Sequence, residues 1–246
     1  MGIFAIISYL RDIDLALFHF INGVCGRIVV FDQLVGLIES PHLKGLAFIS
    51  TFGMFWFQRS KTLVRQRETL VLLLLAVVLS IVVARALADL LPFRTRPMYA
   101  TDIGFRAPLA RGFDSGLEDW SSFPSDTTTV LFVMTTGFWL LSRWCGLLWA
   151  CFSLVTAAAA RIYFGYHYPG DVVAGALIGI GVMIAVNNKF MHVRIASPIV
   201  VMEQRAPAIF YALFFPFLYE VTTLFAYTRV IRHAIFQYFF GSGSLI

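Results

Sequence analysis

The chain has 246 residues, of which 59% are hydrophobic, 16% aromatic and only 13% charged, with a mean hydropathy of +0.79. This composition excludes a soluble globular domain and is that of an integral membrane protein. The net charge of +5 does not point to nucleic acid, because the basic residues are dispersed between apolar runs and form no continuous stripe; membrane lipid is the expected counterpart.

The first apolar run, Ile3 to Leu10, is too short to cross a bilayer and runs into Arg11-Asp12-Ile13-Asp14. It lacks a basic leader and an Ala-x-Ala cleavage site, so it reads as a retained segment rather than a signal peptide. A second apolar stretch lies near Ile28 to Ile38, and both read as interfacial or re-entrant helices, making residues 1–41 an N-terminal interfacial part. Charge-poor runs suited to membrane helices follow at Leu43 to Phe57, Thr69 to Leu91, Ser125 to Leu141, Trp144 to Ala160, Val172 to Val186 and Ala206 to Tyr227. The expected fold class is all-α: a polytopic six-transmembrane-helix bundle with its core at 43–227, inside a single membrane domain spanning 1–246. Cys25, Cys145 and Cys151 are odd in number and sit in or beside apolar segments, which suits buried small hydrophobes better than a disulfide framework or a metal site. The aromatic-rich last run, with Phe210, Tyr211, Phe214, Phe215, Phe217 and Tyr219, reads as lipid-facing packing.

With six spans, the loops Arg59 to Arg67, Ser142 to Arg143 and Asn187 to Arg205 share one side and carry eight basic residues. By the positive-inside rule that side is cytoplasmic. The opposite side receives the long loop Pro92 to Pro124, a candidate cover and head-group selector through Arg106, Arg111, Asp114, Glu118, Asp119 and Trp120, and the short loop Phe164 to Gly170.

Three short elements converge on that outward side: Arg94-Thr95-Arg96-Pro97, then Pro124-Ser125-Asp126-Thr127, then Arg161 with His167 and Asp171. Each has an ordinary structural use when read singly, since Asp171 after Pro-Gly suits a helix start, His167 among tyrosines suits an aromatic belt, and Arg161 suits a snorkelling helix end. Together they are the parts of phosphate chemistry. Arginine forks bind phosphoryl oxygens, a helix start offers hydroxyl and N–H donors, a histidine attacks phosphorus, and a carboxylate fixes its tautomer.

In order and spacing these elements resemble the membrane-bound type 2 phosphatidic-acid phosphatase family, relatives of the vanadium haloperoxidases, with motifs Lys-x6-Arg-Pro, Pro-Ser-Gly-His and Ser-Arg-x5-His-x3-Asp. The sequences around Phe123 and Tyr163 look most like the undecaprenyl-diphosphate phosphatase branch. The resemblance implies that Arg96 and Arg161 bind phosphoryl oxygens, Ser125 donates to them, His167 forms a phosphohistidine, and Asp171 orients His167. It implies no metal and no other cofactor, a lipid-linked phosphate or diphosphate as partner, and a bacterial inner-membrane location with the site facing the periplasm or exterior.

Three positions depart from the motifs: Asp89 stands for the lysine, Ala160 for the serine before Arg161, and Thr127 for the histidine that protonates the leaving group. Arg94 is the favoured replacement for the lost cation over Arg85, which could pair with Asp89 one helical turn away. Asp126 is a weak substitute proton donor, because a helix start favours its ionised form. The missing acid is tolerable on one class of substrate: a lipid alkoxide resembles hydroxide, whose conjugate acid has a pKa of about 15.7, whereas a phosphate monoester leaves with a pKa of about 6. The expectation is therefore phosphoanhydride cleavage of a polyprenyl or similar lipid diphosphate. The alternatives are a phosphotransferase passing the phosphoryl group to a lipid or sugar acceptor, and a non-catalytic lipid-phosphate binder or transporter.

Overall fold

The structure is a computed structural model that describes residues 3–109 and 117–223; Arg111 and Asp114 of the long loop, and the end of the sixth predicted run, lie outside the described residues. The described chain is helical and contains no strand. We label its helices α1 (Ile3–Asn22), α2 (Val29–Glu39), α3 (Pro41–Phe57), α4 (Leu63–Leu90), α5 (Asp126–Leu141), α6 (Arg143–Tyr163), α7 (Pro169–Val186), α8 (residues 189–205) and α9 (Pro207–Thr222). A π-helical turn at Leu154–Ala159 interrupts α6.

All six predicted apolar runs coincide with helices, but only α4, α6 and α7 among the described residues are long and apolar enough to cross a membrane. Helices α3, α5 and α9 have 17, 16 and 16 residues, or about 25 Å at a rise of 1.5 Å per residue, short of a hydrocarbon core of about 30 Å. Two expectations change at the polar segments. Helix α1 continues past Leu10 through Arg11-Asp12-Ile13-Asp14, because Asp14 finds tertiary partners in Arg94 and the Gly170 N–H. The predicted loop 187–205 is mostly helix, opened by the Asn188 side chain accepting from the Met191 N–H and anchored by a 2.8 Å ion pair between Arg67 and the mostly buried Glu203.

The core lies between α3, α4, α5 and α6, where Phe48, Phe52, Trp56, Phe138 and Trp149 are buried and in mutual ring contact. Helices α5 and α7 approach most closely through glycine. A Cβ on Gly175 would meet the Ser125 carbonyl oxygen at 2.5 Å, and one on Gly179 would meet that of Thr129 at 2.2 Å. This contact sets the start of α5 against the start of α7, where the Ser125 N–H donates to the Asp171 carbonyl oxygen at 3.2 Å.

Replacing Gly179 with valine is therefore expected to force the two helices apart. Overpacking of this kind costs about 1–3 kcal/mol, which for a chain of this size lowers the melting temperature by several degrees. The starts of both helices move with it; a variant with wild-type melting in detergent would contradict the close approach.

Candidate active site

Four segments meet at one end of the bundle: the turn after α4, the start of α5, the end of α6 and the loop Phe164–Tyr168 leading into α7. His167 lies at their centre and is fully buried. Its Nδ1 is 2.7 Å from the Ser122 carbonyl oxygen. A carbonyl only accepts, so Nδ1 carries the proton and Nε2 presents a lone pair. That lone pair faces two guanidiniums, with Arg161 Nη2 at 3.1 Å and Arg96 Nη1 at 3.3 Å. Burial, then the charges of Arg161 and Arg96, hold the His167 pKa well below its ordinary value, so the ring is neutral and nucleophilic at pH 7.

Arg96 is placed rigidly. Pro97 opens a short 3₁₀ turn, Pro97–Tyr99, immediately after it, and its guanidinium donates to the carbonyl oxygens of Trp120 at 3.1 Å, Tyr166 at 3.0 Å and Ser121 at 3.3 Å. Arg161, in the last turn of α6, donates from Nη1 to Glu39 at 2.8 Å and lies over the Tyr166 ring at 5.1 Å. Its Nε is buried with no hydrogen-bond partner among the described residues. Ser125 is fully buried at the start of α5, and its hydroxyl accepts from Thr128 at 2.9 Å, leaving its own proton available to a ligand. Asp126 caps its own helix by accepting from the Thr127 N–H at 2.7 Å.

Asp171 is not bonded to His167 directly: its Oδ2 is 3.9 Å from Nδ1, beyond hydrogen-bond reach. It acts one residue away, because Oδ2 accepts from the Ser122 hydroxyl and from the Tyr168 N–H at 2.9 Å, tying down the peptide whose carbonyl holds the imidazole. The Ser122 N–H donates in turn to the Arg94 carbonyl oxygen at 2.8 Å. Ser122 is the residue that sequence reasoning missed here; no motif marks it, since the group that matters is its backbone oxygen.

The two candidate replacement cations are also placed differently from expectation. Arg94 bridges Asp171 and Asp14, at 2.5 Å to each, with Tyr168 stacked against it at 4.0 Å. Both ends of the fork are thus engaged by carboxylates on the side of Asp171 away from the imidazole. Arg85 pairs with Asp126 rather than with Asp89, and stacks on Trp120 at 4.2 Å. The face that would meet a phosphate is left to Arg96 and Arg161, with Glu39 and Lys44 behind Arg161, both of which sequence reasoning left out.

The family model of the PAP2 superfamily matches residues 69–195, just over half the chain and the segment that carries all the motif residues above. The chain belongs to the PAP2 superfamily. Members of the PAP2 superfamily are phosphatases. Among curated relatives, the chain is 28% identical over 171 residues to the "Putative undecaprenyl-diphosphatase YbjG" of Escherichia coli (strain K12), covering 69% of this chain and 79% of that protein. It is 40% identical over 60 residues to the bacitracin transport permease protein BcrC of Bacillus licheniformis, covering 24% of this chain and 29% of that one. Among solved structures, LpxE of Aquifex aeolicus matches with 26% identity and a TM-score of 0.48, over 70% of this chain and 93% of that one.

Proposed function

We propose that this PAP2 protein is an integral membrane phosphatase that cleaves a polyprenyl or similar lipid diphosphate through a phosphohistidine. The reading takes the six helical runs as six spans, with residues 1–41 interfacial and the site on the extracytoplasmic side of a bacterial inner membrane, opposite the basic loops. The observation that carries it is the unprotonated Nε2 of His167, fixed by Ser122 and aimed between two guanidiniums.

With the terminal phosphoryl group on Arg96, Arg161 and the Ser125 hydroxyl, Nε2 attacks phosphorus. The N–P bond forms as the bridging P–O bond breaks, and the electron pair leaves on the bridging oxygen as lipid monophosphate. Water then hydrolyses the phosphohistidine and releases phosphate. No acid is required where the leaving group is a phosphate, which accommodates threonine at 127. Similarity to YbjG supports a polyprenyl diphosphate in particular.

The test is phosphate release by the purified protein from matched polyprenyl mono- and diphosphates, with and without lipid or sugar acceptors. The diphosphate should be cleaved at least tenfold faster than the monophosphate. Transfer to an acceptor without release of phosphate would replace the hydrolase by a phosphotransferase; tight binding with no turnover would make the protein a lipid-phosphate binder.

A further inference from the structure

Beside Arg161 lies a cavity of about 230 Å³ lined by Glu39, Lys44, Thr127 and Arg161 together with apolar residues that include Val130, Met134 and Val221. One oxygen of Glu39 accepts from both cations, from Lys44 Nζ at 3.0 Å and from Arg161 Nη1 at 2.8 Å. Lys44 and Glu39 have side chains only 11% and 16% exposed. Two cations therefore share one carboxylate in a mostly buried place, and the next negative charge, Asp126, is already paired with Arg85. The buried Nε of Arg161, unpartnered among the described residues, belongs to the same guanidinium.

The two ends of Arg161 face different places. Nη2 is beside His167, where phosphorus would be attacked, and Nη1 is on the Glu39 oxygen that also holds Lys44. One guanidinium thus spans two adjacent anion positions, as a diphosphate would present them. Thr127 stands at the junction, where the superfamily's leaving-group histidine would be, and Asp89, at the position of the superfamily's lysine, is exposed on α4 instead.

We propose that Lys44 binds the phosphate that stays on the lipid and makes the enzyme selective for diphosphates, with Glu39 as the internal counter-ion that holds Lys44 and Arg161 in place before substrate arrives. The lysine missing from the first motif is replaced from α3, outside every motif. As the bridging P–O bond breaks, the charge that collects on the leaving phosphate lies against the Lys44 ammonium and the Thr127 hydroxyl, and the apolar wall accepts the first part of the lipid chain. This rests on the phosphatase reading, and the test keeps the two apart.

Binding of a lipid methylene-bisphosphonate and of the lipid monophosphonate with the same chain is measured by titration calorimetry in detergent, and hydrolysis of the matching di- and monophosphates is measured alongside. Wild type should prefer the bisphosphonate at least tenfold. Lys44→Met should abolish that preference and lower the diphosphate-to-monophosphate ratio of kcat/KM at least tenfold, while Lys44→Arg keeps most of both. Because Lys44→Met leaves Glu39 with one partner fewer, the double variant Glu39→Gln with Lys44→Met guards against a folding defect and should show the same loss of preference. A full bisphosphonate preference in either folded variant overturns the role of Lys44. If wild type hydrolyses nothing, the phosphatase reading fails, and the binding arm still decides the subsite.

Discussion

Replacing His167 with alanine is expected to lower turnover of a lipid diphosphate by at least about 10⁴-fold, the scale on which loss of a nucleophile acts when no other group can take its place. The two neighbouring carboxylates are already engaged, Asp171 by Arg94 and Asp126 by Arg85, so neither takes the place of the imidazole. Rapid quenching with radiolabelled diphosphate should trap an acid-labile, base-stable phosphoenzyme in wild type and none in the variant. The pH dependence has a definite sign. Because the folded pKa of His167 lies below its ordinary value, the ring stays neutral and the rate stays flat as pH falls to about 6.5, declining only below that. Stability shifts the same way: between the folded and unfolded pKa values the unfolded chain binds more protons, so acidification through that window destabilises wild type and spares the alanine variant from this contribution. A folded His167→Ala protein with near-wild-type hydrolysis would remove histidine from the chemistry altogether.

Much of this site was legible because its parts are rigidly spaced along the chain. Arg161 ends one helix and Asp171 begins the next, so ten residues of sequence bring both beside His167, Arg161 at Nε2 and Asp171 toward Nδ1, and Arg96 is marked by the proline behind it. The apolar runs announced the helices through composition alone. What escaped is what depends on distant packing. Ser122 matters through a carbonyl oxygen, which every residue has, and its position follows from Asp171, 49 residues away. Lys44 and Glu39 flank an ordinary Ser-Pro helix start, and nothing local says that Arg161, 122 residues beyond Glu39, shares its carboxylate. Sequence offers Arg94 as a free cation and Asp89 as a partner for Arg85, because it shows charge but not the distant carboxylates, Asp14 and Asp126, that engage them. The same reason cuts helix α1 short in the sequence reading and makes residues 187–205 a loop there: charged residues look like breaks until their partners are placed.

Arg161→Lys separates charge from geometry and should cost about 10²–10³ in kcat, the loss expected when one preorganised donor is removed from a developing oxyanion. Lysine keeps the positive charge but offers a single ammonium, which cannot stand beside His167 Nε2 and Glu39 together, as the guanidinium does from its two ends. The folded state should tolerate the change, because Glu39 retains Lys44 as a partner. The companion variant Arg96→Lys behaves differently: the Arg96 guanidinium serves the carbonyl oxygens of Trp120, Ser121 and Tyr166, and each buried acceptor left unpaired costs about 1–3 kcal/mol. Arg96→Lys should therefore lower both the melting temperature and the rate, Arg161→Lys chiefly the rate. Vanadate, a phosphate mimic, should bind at least tenfold more weakly to both. If Arg161→Lys retains wild-type kcat and vanadate affinity, the guanidinium beside His167 is holding the fold rather than the phosphoryl group, and the anion site must be sought elsewhere.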